Sequence, residues 1–420
     1  MLTISPLPTI KVSATTIAGP FVSSSPTTEV INKMIFANGK YYIVGGDEND
    51  GKKAVIYSSL DAITWQAISI ANCSDGTLSS DLDSIRDIQY ANGVFVAVGK
   101  SASTLGVTMA VSTDGVTWKA IREANSNLYS VTFSGYYGLW ATSGYNTSLG
   151  GVIYASFDNG VSWYNTGAGG GNGIVFADDE SNPDPLFWTV GGMRDHPTEQ
   201  RMTSDINYAN AGELDGWYYF ENDVEDLTSI DYINGWLMAV SDSNLYLKGD
   251  DYFYYRVLTG VTGTVGHFSK ITYVNGQYVI PAGKWDGSKW NAIAIVSSDL
   301  ENWQAVTIDT RGGSLTSVVY NAGEYKMTDS IGNVYSTSFI PSVPPTIKQD
   351  NPVVIPISVE SATNGNKNIG QALSTYKALL TKVDNTNSNK PLSRLNALLL
   401  QIGSFSTYKP SLLAGTNQLK

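Results

Sequence analysis

Residues 111–118 read VSTDGVTW. The stretch sets a hydroxyl (Ser112), a carboxylate (Asp114), a turn glycine (Gly115) and a large aromatic (Trp118) close together. A serine beside a carboxylate is the raw material of nucleophilic or general-base chemistry, and a neighbouring ring could hold a substrate. The same set returns as Ser59, Asp61 and Trp65 in SSLDAITW and as Ser156, Asp158, Gly160 and Trp163 in SFDNGVSW. It returns once more as Ser297, Asp299 and Trp303 in SSDLENW. A catalytic site is normally unique, whereas this set recurs, and recurrence favours construction. A carboxylate two residues into a turn accepts hydrogen bonds from nearby backbone N–H groups. Gly115 and Gly160 permit positive φ there. Each tryptophan then buries about 150–250 Å² between neighbouring units.

Other residues are candidates for binding. MRDHPTEQRM (193–202) places Arg194, His196 and Arg201 where an anion or a sugar could be held, and an ordinary exposed loop fits the same residues. LDGWYYF (214–220) and DDYFYYR (250–256) are dense in rings, among them Trp217, Tyr219, Tyr252 and Tyr254. Strand alternation turns half of each set outward, for sugar stacking or for packing between units. No metal or cofactor is expected. The two histidines, His196 and His267, and the single cysteine, Cys73, form no zinc spacing. DENDGKK (47–53) and DDESNPD (178–184) are oxygen-rich but lack the twelve-residue calcium-loop pattern. GAGGGNG (167–173) lacks the strand-then-helix setting of a phosphate-binding loop.

These residues need a scaffold, and the scaffold is itself periodic. MIFANGKYYIVGG (34–46) matches IQYANGVFVAVGK (88–100), and VTFSGYYGLWATSG (131–144) is a looser copy. IVFADDESNPDPLFWTVGG (174–192) fits if its DESNPDP is an inserted loop. IDYINGWLMAVSD (230–242), ITYVNGQYVIPAG (271–283) and VVYNAGEYKMTDS (318–330) continue the series. Each reads as two alternating strands joined by a tight Asn-Gly-type turn. Seven such units between residues 28 and 340 recur at about 45 residues, the spacing of a four-stranded propeller blade. The expected fold is all-β, a seven-bladed β-propeller, with six or eight blades also compatible. Residues 1–27 form an extended segment in which TIKVSATTIAG (9–19) could close the ring.

Composition changes after residue 340. Residues 341–420 carry eight Lys and Arg against three Asp and Glu, leaving 18 against 35 for the rest of the chain. Residues 341–367 read as a Pro-rich linker. Residues 368–420 read as a short helical hairpin for attachment or oligomerisation. Ile369, Leu373, Tyr376, Leu380 and Val383 form one apolar seam, and Leu392, Leu395, Leu399 and Ile402 a second. The overall net charge of −12 argues against a nucleic-acid partner. No run of apolar residues is long enough to insert into a membrane, and no signal peptide is visible at the start.

The paired motifs resemble the Asp-box, or BNR-repeat, β-propellers, a group that includes sialidases. Ser156, Asp158, Gly160 and Trp163 match the family spacing, and the other three copies are one residue shorter. Paired with the Asn-Gly hairpin, the pattern is similar to that of tailed-phage tail proteins and bacterial surface proteins. A sialidase site would imply an Arg-Ile-Pro strand and an arginine triad. The tripeptide does not occur, and Arg86, Arg122, Arg194, Arg201, Arg256 and Arg311 are the arginines up to residue 340. No catalytic residue is therefore carried over. The resemblance implies a non-enzymatic structural or binding protein on the surface of a tailed-phage virion: a tail fibre, baseplate or capsid-surface component made in the host cytoplasm. Its propeller would recognise host surface glycans or neighbouring virion proteins. Residues 341–420 would join other virion proteins in a larger assembly. A glycoside hydrolase or lyase acting on surface polysaccharide, and a bacterial surface adhesin, are the alternatives.

Overall fold

The computed structural model describes residues 22–27, 29–46, 53–103, 106–123, 126–146, 150–166, 170–177, 186–191, 199–203, 205–207, 213–215, 218–221, 226–248, 253–338 and 340–341. For 22–23, 199–221 and 253–254 the description is of backbone alone. The chain divides into two compact units, Met1–Ile347 and Lys348–Lys420, and every described residue belongs to the first. The expected linker from residue 342 onward, and the helical hairpin over 368–420, lie outside the described residues.

Apart from one 3₁₀ turn at Ser79–Asp81, every regular element described is a strand. The strands form antiparallel meanders that follow the chain. Ile31–Ala37, Lys40–Gly45, Val55–Ser59 and Gln66–Ala67 make the first. Leu82–Ala91, Val94–Ser101, Val107–Ser112 and Trp118–Arg122 follow, and then Ser126–Ser134, Leu139–Asn146, Gly150–Ser156 and Tyr164–Asn165. These two share a nine-stranded sheet through the pairing of Asn127 with Lys100. Gly173–Ala177, Leu186–Val190, Glu199–Thr203 and Tyr218–Glu221 come next, with the hairpin Asp205–Asn207 and Glu213–Asp215 between the last two. The meander from Ser229–Ile233 to Phe253–Arg256 and the one from Val265–Gly266 to Gln304–Asp309 continue the series.

In the final sheet Leu315–Asn321, Glu324–Asp329 and Val334–Thr337 are joined by Val22–Ser24 from the other end of the chain. Val22 pairs with Ser336 and Ser24 with Val334. This closes the ring in main-chain hydrogen bonds and removes a free sheet edge. Residues 9–19, expected in that place, lie outside the described residues. Each meander's first strand packs on the next, and Ile31–Ala37 touches both Leu82–Ala91 and Leu315–Asn321. The result is an all-β, propeller-type ring around a central channel.

Local chemistry explains the turns. Asn38/Gly39, Asn92/Gly93, Asn234/Gly235, Asn275/Gly276 and Ala322/Gly323 all have positive φ at both positions, the two-residue turn that matches strand twist. Apolar clusters straddle successive sheets. Tyr42, Val44 and Ile56 pack with Phe95, Ala97 and Trp118, while Val94, Val96 and Met109 pack with Leu128, Trp140 and Trp163.

One departure from regular pairing positions the channel residues. The register slips between Ile31 and Lys33, Ile85 and Asp87, Leu128 and Ser130, and Leu315 and Ser317. Each slip is a bulge that pushes one residue out of the ladder: Asn32, Arg86, Tyr129 and Thr316. A glycine stands opposite three of the bulges, where the bulged strand leaves no room for a side chain. A Cβ on Gly45 would lie 1.8 Å from the Val30 carbonyl oxygen, on Gly99 1.8 Å from that of Ser84, and on Gly144 2.1 Å from that of Asn127.

Candidate ligand-binding channel

The recurring Ser-Asp-Trp set builds turns. Asp114 Oδ1 accepts the amides of Val116 and Thr117, each at 2.7 Å, and the Ser112 hydroxyl at 3.0 Å. Ser112 Oγ in turn accepts the Gly115 amide at 2.9 Å. Asp61 repeats this with Ile63 and Thr64, and Asp299 with Glu301 and Asn302. Asp158, in the longer copy, takes the Ser162 amide, and Ser156 takes that of Gly160. Hydrogen bonds from the turn amides hold Asp61 and Asp114 at a pKa of about 2, so both stay ionised. The residue after the carboxylate takes positive φ: Ala62, Gly115, Asn159 and Leu300.

The tryptophans close the seams between sheets. Trp118 and Trp303 are fully buried and Trp163 is buried, each against the preceding meander. Trp163 Nε1–H donates to the Gly160 carbonyl and Trp303 Nε1–H to that of Leu300, both at 3.2 Å. Trp65 is half-buried at the ring closure, where its Nε1–H donates to Ser24 Oγ at 3.3 Å.

A second latch between neighbours was not read from the sequence. The hairpin asparagines Asn234 and Asn275 donate to the hydroxyls of Tyr278 and Tyr325 in the next meander, at 3.0 Å each. Asn321 donates to Tyr41 at 3.1 Å, across the ring closure. The signal was the tyrosine two residues after the turn glycine in NGQY and AGEY. Phe95 stands at that place after Gly93 and has no hydroxyl to offer. At the following seam Trp140 stands at that place, and Asn92 meets Asn159, whose Oδ1 also accepts from Trp140 Nε1 at 3.1 Å.

Among the described residues, the channel gathers a second concentration of polar chemistry. At one mouth a cavity of about 490 Å³ is lined by the bulged Asn32, Arg86, Tyr129 and Thr316, together with Lys33, Asp87, Asp231 and Lys270. Bulges are a standard way to re-aim side chains near a site. Asn32 Nδ2 donates to the Ile85 carbonyl at 2.8 Å, and the Arg86 guanidinium lies 4.0 Å from the centre of the Tyr129 ring. Asp87 is buried and gathers Lys33 Nζ, the Ser130 hydroxyl at 3.1 Å and the Val131 amide at 3.0 Å. It therefore ties three successive first strands together. Burial acts to raise its pKa, but Lys33, Lys270 and the hydrogen bonds outweigh that and hold it below the ordinary carboxylate value. Asp87 thus serves as a fixed negative charge at neutral pH, not as a proton donor. Lys270 lies 3.7 Å from Asp231. Arg86, Lys33 and Lys270 against Asp87 and Asp231 leave this mouth one positive charge in excess, which suits an anionic or hydroxyl-rich ligand.

Toward the other end the channel opens into a cavity of about 440 Å³ lined by Phe36, Tyr90, Phe133, Phe176 and Tyr232. Each ring comes from the first strand of its meander. Tyr273 and Tyr320 occupy the same strand position. Most pack tilted or edge-on against a ring of the second strand, as Phe36 does on Tyr41 and Tyr320 on Tyr325, both at 4.8 Å between centroids. The aromatic was visible in every hairpin sequence, but its place at a channel mouth was not.

Of the binding candidates named from the sequence, Arg201, Tyr219 and Tyr254 are described by backbone alone. Arg194, His196, Trp217 and Tyr252 lie outside the described residues. Arg201 stands in register with Tyr219 on neighbouring strands, and Tyr254 pairs with Leu247 in a different sheet. The acidic stretches 47–52 and 178–184 also lie outside the described residues. Among the described residues no group of three or more His, Cys, Asp or Glu could hold a metal ion.

No family model matches this sequence, and no curated protein matches it. Solved structures do. Virginiamycin B lyase from Staphylococcus aureus aligns with a TM-score of 0.54 and 10% identity, over 76% of this chain and 99% of that one. A catalytically inactive form of that lyase with quinupristin gives 0.53 and 10%, over 76% and 98%. A chain of the mitotic checkpoint complex gives 0.50 and 8%, over 80% and 96%. At these identities the likeness is one of fold, a propeller-type ring of β-sheets.

Proposed function

We propose that this chain is a seven-bladed Asp-box propeller that works, without catalysis, as a structural and recognition component of a tailed-phage virion, in a tail fibre, a baseplate or on the capsid surface. The propeller binds host surface glycans or neighbouring virion proteins, and residues 341–420 attach it to other virion proteins. The count of seven treats the nine-stranded sheet as two meanders that meet at Asn127 and Lys100. The observation that carries the non-catalytic reading is the commitment of the repeated motif: Asp61, Asp114, Asp158 and Asp299 are all engaged by turn amides. The virion placement rests on the resemblance of the paired hairpin and Asp motif to those of phage tail proteins.

The test is incubation of the full chain with a panel of host surface polysaccharides. Retention of one of them without release of sugar is the expected result. Release of reducing or unsaturated ends overturns the non-catalytic reading in favour of a lyase or hydrolase working at the Arg86 mouth. That second reading draws on the fold shared with virginiamycin B lyase. Immunogold labelling of purified particles tests the placement, with label on tail or capsid expected and unlabelled particles overturning it.

A further inference from the structure

The hairpin that joins Gln277–Trp285 to Trp290–Ser297 differs from its counterparts. Trp285 and Trp290 stand directly opposite each other at its tip, with ring centroids 5.6 Å apart. The His267 ring packs tilted against Trp290 with centroids 4.2 Å apart, so Trp290 touches both other rings. The corresponding connections between second and third strands, GDENDGKKA, SASTLG, NTSLG, GGMRDHPT, SDSN and DSIGN, contain no Trp, Tyr or Phe. The fold therefore does not require rings here. Among the described tryptophans Trp285 is the one that is exposed, at 40%.

The platform is built and held. A Cβ on Gly266 would lie 3.0 Å from Cη2 of Trp290, and one on Gly283 would lie 3.0 Å from its Cε3. Two glycines thus make room for the central indole. His267 takes a φ of 55°, uncommon for a residue with a side chain. It is kept there by its amide, which donates to Asp242 Oδ1 at 3.1 Å, and by a 2.8 Å hydrogen bond between Nδ1 and Ser314 Oγ. No partner is described for Nε2 of His267 among the described residues. Asp286 fixes the tip by accepting the amides of Ser288 at 2.9 Å and Lys289 at 3.0 Å.

We infer that Trp285, Trp290 and His267 form a saccharide-binding platform on the rim of the ring. This rests on the glycan-recognition reading above and assigns it a site. The C–H face of a pyranose is apolar and suits the flat, electron-rich face of an indole. Its hydroxyls need hydrogen-bond partners, and the exposed His267 offers Nε2. Size decides against a protein partner: the neighbours of Trp285 at the tip are exposed and polar, and one indole face falls far short of the roughly 1,200–2,000 Å² that a stable protein interface buries.

The test applies the full-length chain to an array of purified bacterial capsular, O-antigen and teichoic-acid glycans, and titrates the retained glycan against variants. Trp285→Ala is expected to weaken binding by about tenfold or more, with Trp285→Phe losing less and Tyr136→Ala, exposed on another hairpin, binding as the parent does. Quenching of tryptophan fluorescence by the glycan is expected in the parent and lost in Trp285→Ala. Unchanged affinity in a correctly folded Trp285→Ala overturns the platform and leaves glycan recognition standing. If the parent chain retains no glycan, the recognition reading falls and the platform falls with it.

Discussion

Two sets of tryptophans in this molecule follow opposite rules. Trp118, Trp163 and Trp303 come with a Ser-Asp turn, sit in the seams between sheets and are buried. Trp285 and Trp290 come with no repeated motif, sit at a hairpin tip and present a ring to solvent. The first set recurs because the seams it fills pose the same packing problem and take the same wedge. The second occurs once, where the ring fold makes no demand. In a repeat protein, then, repetition marks what holds the molecule up, and a break in repetition marks where recognition is to be sought.

The sharpest test of that contrast is Trp118→Ala, which should cost about 3–5 kcal/mol because it empties a packed seam. Chemical denaturation measures it, and a loss below 1 kcal/mol would remove Trp118 from the structural set. Lys33→Ala comes next. It removes the nearest countercharge of the buried Asp87, at an expected cost of about 3 kcal/mol. A melting temperature equal to the parent's would show that Asp87 is not part of what binds the first strands together.

Asp114→Ala should lower the melting temperature by a few degrees through lost turn hydrogen bonds and leave ligand binding unchanged. Lost binding at intact stability would move the motif into the recognition column. The pH profile refines this test. The carboxyls of Asp61 and Asp114 are lowered to about 2 in the fold, so their stabilisation is present above the ordinary value near 3.8 and lost as pH falls through 2. Glu123 runs the other way. Burial raises its carboxyl to about 7, so the folded state holds a proton that the unfolded state has released between 4.5 and 7. Stability therefore falls as pH rises through that window. Glu123→Gln should flatten the fall when melting is followed from pH 5 to pH 8, and an unaltered profile would show that Glu123 ionises without penalty. The smallest stability effect belongs to Trp285→Ala, within about 0.5 kcal/mol, as for an exposed side chain.

Much of the construction was legible along the chain because it is local. Asn38-Gly39 and its relatives specify a turn by backbone conformation alone, and Asp114 finds its partners two and three residues away. Alternation of apolar residues specified the strands that those turns join. The recurrence of Trp118 and its relatives declared a structural role before any contact was known.

The candidate site was far less legible. Trp285 and Trp290 break the repeat, yet an exposed ring cannot be told from a buried one until the neighbouring sheets are placed. The bulges that send Asn32 and Arg86 to the channel mouth leave only a glycine as their trace, since Gly45 and Gly99 could equally have marked turns. The rings densest in sequence, Tyr219 and Tyr254, fall on different sheets.

What the sequence determined by itself was the set of local elements: the strands, their tight turns, the carboxylate locks and the period at which they return. These depend on interactions within a few residues, which residue type and spacing specify directly. Only the tertiary structure decided which distant residues meet. Lys33 reaches Asp87 across 54 positions, and Asn321 reaches Tyr41 across 280. Such contacts exist because closing the ring brings each first strand beside the next and the last sheet beside the first, a constraint that acts through space and leaves little trace in any local pattern.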